Sequence, residues 1–484
     1  MKQAIATISR LAQRNFLALL VLFFALSGSS YAAYATVTKL LPKNSVGSAQ
    51  VINGSLQKVD LSKKTTAALR GVPGPQGPQG AAGPAGSAGP QGPTGDTGAP
   101  GAPGQQGAQG SPGLSGPAAA RSGPGAAALT TLDSAGDAGS FTSATTGADG
   151  LGLISYYDNT NHDLKVAHCD NVACTSASKS TLDSAGDVGL FSSVTIGADG
   201  LGLISYDDTT NTDLKVAHCD NVACTSATKS TLDSTGDVGT YTSVTFGADG
   251  LGLISYYDFG GNNTNNLKVA HCDNTACTSA TKSTLDSTGD VGTYASATVG
   301  MDGRGLISYY DFTNHDLKIA HCDNTLCTTA TLSTLDSAGD VGQRTSVTVG
   351  TDGRGLISYY DVTNHDLKVA HCNNIACTTA SPSTLDSAGD AGGFSSVTIG
   401  GDGLGLIGYY YSNVFGGLKV AHCNDTACAS ASASPVDGGL LGLYTSATIG
   451  ADGLGLISYY DDTNANLKVA HCANTFCVAY FRRR

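Results

Sequence analysis

The sequence predicts an all-β head, a seven-bladed β-propeller with four-stranded blades, preceded by a collagen-like triple-helical stalk and an N-terminal signal segment. Three observations carry this expectation. Between Gly71 and Ala118 glycine stands at every third position for sixteen consecutive triplets, with ten prolines in the intervening slots. From Leu129 onward a unit of about fifty residues recurs seven times, and all fourteen cysteines fall in seven identical C-x4-C pairs, one per unit.

The chain opens on a segment that reads as an export signal. Lys2, Arg10 and Arg14 precede an unbroken apolar run from Phe16 to Leu26, and small residues follow through Ala32 and Ala35, the order of a positive region, an apolar region and a cleavage site. Eleven apolar residues are too few to span a bilayer, although the weaker run to Tyr34 could extend them into an uncleaved anchor. Residues 1–35 are therefore expected to be a signal peptide or signal anchor, which places the rest of the chain outside the cytoplasm, secreted or on the cell surface. Residues 36–70 read as a polar linker or assembly segment.

The stalk, residues 71–118, follows from sterics. Three polyproline-II chains wind together only where the residue facing their common axis lacks a side chain, so an unbroken Gly-X-Y period specifies a homotrimeric rod. A flexible Gly/Pro linker would not hold the period without error. Forty-eight residues at about 3 Å each give a rod of roughly 140 to 150 Å. Residues 119–128 read as a linker.

Charge separates this leader from the head. Residues 1–128 carry ten Lys/Arg against two Asp, whereas residues 129–484 carry sixteen against 37 Asp, a net of −21, and the chain contains no Glu. With no basic face, the head excludes nucleic acid as a partner and admits cations. The loops Asp183-Ser-Ala-Gly-Asp187 and Tyr157-Asp158 offer oxygen ligands for calcium, while short Asp side chains equally suit turns.

Each unit holds four short β-rich segments between Gly/Asp/Asn turns, the length and strand count of a propeller blade. A parallel β-helix would use shorter coils. The repeat region, residues 129–484, opens with an outer-strand segment, Leu129–Asp133, and its seventh unit stops soon after Cys477, so the first residues are expected to complete the last blade and remove an open edge. The stretch Ser193-Val-Thr-Ile-Gly197 reads as the inner strand, small enough for the crowded axis.

In an exported chain the cysteine pairs read as local disulfides: Cys169–Cys174, Cys219–Cys224, Cys272–Cys277, Cys322–Cys327, Cys372–Cys377, Cys423–Cys428 and Cys472–Cys477. Zinc would need four ligands, and each unit offers two Cys and the preceding His, such as His168. The seven histidines at that position lie on a wide ring and cannot share one ion; a hydrogen-bonded packing role between blades is expected.

Near-identical repeats place the same groups everywhere, so the residues that break the repeat are the candidate ligand surface. Arg304 and Arg354 replace Leu in the first turn of units four and five, unit three carries an insertion beginning at Phe259, and unit six carries Tyr411 and Phe415. Strand order puts the insertions on one face and both arginines on the other. Ser155, His168 and Asp170 recur seven times, which argues against a catalytic triad; no catalytic, cofactor or metal residue is assigned.

The first 120 residues resemble the head of exported bacterial collagen-like proteins, through the signal segment, Leu41-Pro-Lys-Asn-Ser-Val-Gly47, Asn53-Gly-Ser-Leu56 and the Gly-X-Y run. The repeats resemble bacterial sialidase-like propellers of unassigned function, chiefly through the Ile-Ser-Tyr-Tyr-Asp strand. The chain departs from sialidases themselves in having no Trp and few propeller arginines. The resemblance implies a surface or secreted stalk-and-head protein with its ligand unspecified; the function expected first is structural or adhesive, binding an extracellular glycan or protein. A propeller carbohydrate-active enzyme and a purely structural spacer are the alternatives.

Overall fold

The computed structural model describes residues 127–260, 265–412, 416–439 and 441–478. The chain divides into two units, residues 1–110 and 111–484, and every described residue belongs to the second. The signal segment, the linkers, the Gly-X-Y stalk and Phe415 lie outside the described residues.

The described residues form 28 strands in seven four-stranded antiparallel sheets, the seven-bladed propeller. In the first blade the inner strand is Ala138–Thr146, the second Gly152–Asp158, the third Asp163–Cys169 and the outer Ala177–Asp183. The second strand, Gly-Leu-Ile-Ser-Tyr-Tyr-Asp, is buried at every position. That is the condition of a strand with a blade packed on each face, and its β-branched and aromatic residues suit it. The outer strand is exposed or half-buried until its last two residues, which are buried.

The last blade is closed by the first strand. Ala127–Asp133 pairs antiparallel with Asn466–Cys472, from Ala127 opposite Cys472 to Thr131 opposite Lys468 and, across a bulge, Asp133 opposite Leu467. The ring therefore has no free end at the junction of the termini. Leu132, Ala138, Ile154 and Tyr156 pack there against Leu456, Leu467 and Val469, and the same cluster of Leu, Val, Ile and Tyr recurs at the other boundaries. Gly139 shows how closely the blades approach: its φ is 117°, and a Cβ would lie 2.7 Å from Leu467 Cα.

Buried polar contacts reinforce each boundary. Asp133, on the outer strand of the last blade, accepts hydrogen bonds from Tyr156 Oη, Lys165 Nζ and Lys179 Nζ of the first blade at 2.8 to 2.9 Å. Asp183 and Asp233 repeat the arrangement with Tyr206, Lys215 and Lys229 and with Tyr256, Lys268 and Lys282. Burial acts to raise these carboxyls, but the lysine and tyrosine hydrogen bonds outweigh it and hold Asp183 and Asp233 at about 2. Leu332, Pro382, Ala433 and Leu129 take the outer-strand lysine's place in the other four blades.

All seven cysteine pairs are bonded as local disulfides, with Cα–Cα distances of 4.8 to 4.9 Å. The histidine before each first cysteine faces an Asp of its own blade, and His422 also packs across the boundary on Phe476, with ring centroids 4.6 Å apart. His168 Nε2 lies 2.9 Å from Oδ2 of Asp149 in the first turn, and all seven equivalents lie at 2.8 to 2.9 Å. The antiparallel register that puts His168 on the strand beside Leu153 brings it back to that turn.

Candidate functional site

The inner strands carry a bulge that decides what faces the axis. In the first blade Ser140 opposes Tyr157 and Ser143 opposes Ser155, so Phe141 and Thr142 together face the single residue Tyr156. The extra residue takes a left-handed backbone in every blade: Phe141, Phe191, Tyr241, Tyr294, Arg344, Phe394 and Tyr444 have φ between 50° and 55°. A bulky residue held there costs about 1 kcal/mol or more.

These seven residues, with the seven that follow them, line one cavity of 380 Å³. Neighbouring ring centroids stand 4.4 to 4.8 Å apart from Phe394 through Tyr444, Phe141, Phe191 and Tyr241 to Tyr294. Arg344 closes the collar, its guanidinium carbon 3.5 Å from the Phe394 centroid and 5.7 Å from that of Tyr294. Seven groups at that spacing define a circle about 10 Å across, and subtracting a ~3.5 Å van der Waals thickness from that diameter leaves an opening of roughly 6 to 7 Å. The collar lies near the start of each inner strand, on the face that carries the outer-to-inner loops and the second-to-third-strand turns.

Beneath the rings runs a belt of hydroxyls already committed to structure. Thr142, Thr242 and Thr345 donate to Ser458, Ser205 and Ser308 of the adjoining blades at 2.7 to 2.9 Å, and Ser192, Ser395 and Thr445 donate to backbone carbonyls. Burial raises the Tyr241 and Tyr444 hydroxyls, Tyr241 further through Tyr294, so both remain protonated donors. The lining contains no carboxylate, imidazole or thiol. Among the described residues no hydrogen-bond acceptor or carboxylate pairs with the Arg344 guanidinium, which lies over the two rings.

A second tier of tyrosines supports the collar. Tyr157, Tyr257, Tyr310 and Tyr460 meet collar rings at centroid distances of 6.1 to 6.4 Å, and their hydroxyls donate to Asp187, Asp290, Asp340 and Asp137 at 2.7 to 2.8 Å. The second blade has Asp207 instead. It is buried, its Oδ1 has no hydrogen-bond partner, and burial, with Asp237 and Asp208 nearby, pushes it up to about 7.

The candidate surface residues of the sequence do not meet. Phe259 is exposed on the collar face and contacts Tyr257. Tyr411 is buried, since it occupies the position of Asp158 in the first blade and its ring packs under Lys419 Nζ at 5.0 Å. Arg304 and Arg354 are exposed on the opposite face, where their backbone amides donate to Asp302 and Asp352. Among the described residues no group of three or more His, Cys, Asp or Glu is arranged to hold a metal ion.

Comparison with known proteins adds the leader. Residues 67–127 match the collagen triple helix repeat family. No curated protein matches the chain in sequence. Solved structures similar to it include a protein of unknown function from Dyadobacter fermentans (13% identity, 61% of this chain and 96% of that one, TM-score 0.45). Others are a polysaccharide lyase, the PL25 ulvan lyase (12%, 71% and 96%, TM-score 0.48), and the NanB sialidase of Streptococcus pneumoniae (13%, 73% and 71%, TM-score 0.44).

Proposed function

We propose that the chain is an exported, trimeric stalk-and-head protein, secreted or displayed on the cell surface. Each propeller head binds an extracellular ligand in the collar around its axis. The observation that supports this most is the collar itself: seven blades each hold a bulky residue in a strained backbone conformation and turn it into one open cavity. The convergence of these strained bulky side chains on one place favours a site over packing alone. The lining offers no carboxylate, imidazole or thiol, which favours binding over turnover.

The collagen match supports a trimer, and seven disulfides suit an oxidising compartment. Three heads on one rod turn a weak single-site contact into tight surface attachment. The test is capture of the full-length protein on immobilised extracellular glycans and proteins, with a Phe191→Ala/Tyr241→Ala variant as control. Loss of capture in a variant that melts as the parent does supports the collar as the contact. Equal capture removes it.

A further inference from the structure

We propose that the collar takes a carboxylate carried on an apolar body, such as the C-terminal residue of a protein, rather than a sugar. This rests on the reading of the collar as the ligand site. The Arg344 guanidinium carbon lies 3.5 Å from the Phe394 centroid, a separation that fits face-to-face stacking and leaves the in-plane N–H groups clear of the ring. A guanidinium held this way presents the two parallel donors that a carboxylate accepts, and among the described residues nothing accepts them.

The rest of the cavity decides the body of the ligand. Six aromatic rings supply apolar wall, and the hydroxyls below them are spent on Ser458, Ser205, Ser308 and backbone carbonyls. One of Tyr241 and Tyr294 donates to the other, so the accepting hydroxyl of that pair, Tyr444 and Arg344 are the donors left to a ligand. A sugar would bury several hydroxyls with too few partners, and each unpaired one opposes binding. An apolar C-terminal residue brings a carboxylate, which Arg344 satisfies, and a single peptide N–H, fewer polar groups than the several hydroxyls of a sugar. The head's net charge of −21 over residues 129–484 also repels polyanions, whereas a single carboxylate desolvated against Arg344 is tolerated.

The test uses the full-length protein and four probes by calorimetry: N-acetyl-Gly-Gly-Leu with a free carboxylate, its C-terminal amide, 3-phenylpropionate and glucuronate. The free peptide acid is expected to bind at least tenfold more tightly than the amide and than glucuronate. Arg344→Gln is expected to lose at least tenfold towards the acid, with an unchanged melting temperature, and Arg304→Gln to lose nothing. Preference for the peptide acid over 3-phenylpropionate identifies a protein C-terminus as the source, and the reverse identifies a free small acid; both support the chemistry. An amide that binds within twofold of the acid, glucuronate that binds as tightly, or binding unaffected by Arg344→Gln overturns it. Continued capture of the protein on extracellular surfaces alongside such a result leaves the head-binding reading intact.

Discussion

The belt of hydroxyls between blades contains its own missing part. Five boundaries join a Ser or Thr of one inner strand to a Ser of the neighbouring second strand at 2.7 to 2.9 Å. At the boundary of the third and fourth blades the inner-strand residue is Ala295, and Ser255 Oγ is fully buried with no partner. Ala295→Ser restores the pair. A net hydrogen bond contributes about 1 kcal/mol, and relief of a buried unpaired hydroxyl adds a similar amount, so a gain of about 1 to 2 kcal/mol is expected. For a head of some 350 residues, an unfolding entropy of about 2.1 cal/mol/K per residue turns this into a rise in Tm of roughly 2 °C. Calorimetry on the four proteins of the cycle with Ser255→Ala isolates the pair: Ser255→Ala alone is expected to be neutral or stabilising, and the same change in the Ala295→Ser background to cost about 1 kcal/mol. A coupling energy indistinguishable from zero would refute the pairing.

Other consequences follow from the same contacts. Asp207→Asn is expected to raise Tm by a few degrees at pH 8 and by little at pH 4. Its folded carboxyl at about 7 lies above the ordinary value of 3.8, so the penalty of ionising it sets in only as pH rises through that window. Asp183 and Asp233, held at about 2, act with the opposite sign. Their stabilisation is complete above about pH 4 and is lost as pH falls towards 2, so an acid melt of the Lys215→Met/Lys268→Met variant should show a shallower slope there, with Lys229 and Lys282 retaining the remainder. Removing one local bridge with Cys219→Ser/Cys224→Ser should cost roughly 2 kcal/mol at most, because each loop is short; a loss of cooperative unfolding would contradict that local role. Gly95→Arg in the Gly-X-Y run should lower the melting temperature of the rod and weaken surface capture while leaving the heads' transition in place.

The periodic features of the head were legible because each rests on local chemistry repeated seven times. Cysteine spacing set the blade length, the orphan outer-strand segment before the first complete unit announced the closure, and the short C-x4-C loops fixed the disulfides. The collar was not legible, for a specific reason. Ser193–Gly197 reads as a complete inner strand, so Leu190-Phe191-Ser192 falls into the preceding turn. Only the bulge, two residues against one, returns Phe191 to the axis. Aligning the units would have exposed the signal: one column reads Phe141, Phe191, Tyr241, Tyr294, Arg344, Phe394, Tyr444. Arg304 and Arg354 drew notice because they replace leucine in a turn, while Arg344, replacing an aromatic residue, is the one that faces a cavity. The histidines were expected to make their hydrogen bonds between blades; His422 does pack on Phe476 of the next blade, but strand order alone does not reveal that the first turn of the same blade folds back to supply the carboxylate. Asp207 looked like one more acidic residue, and its isolation depends on a missing tyrosine hydroxyl.

The claim that three collars act together stands on the stalk. Sedimentation equilibrium of the full-length protein at micromolar concentration tests it most directly: the account predicts a single species of three times the 48.6 kDa chain mass, and a monomer under those conditions would contradict it.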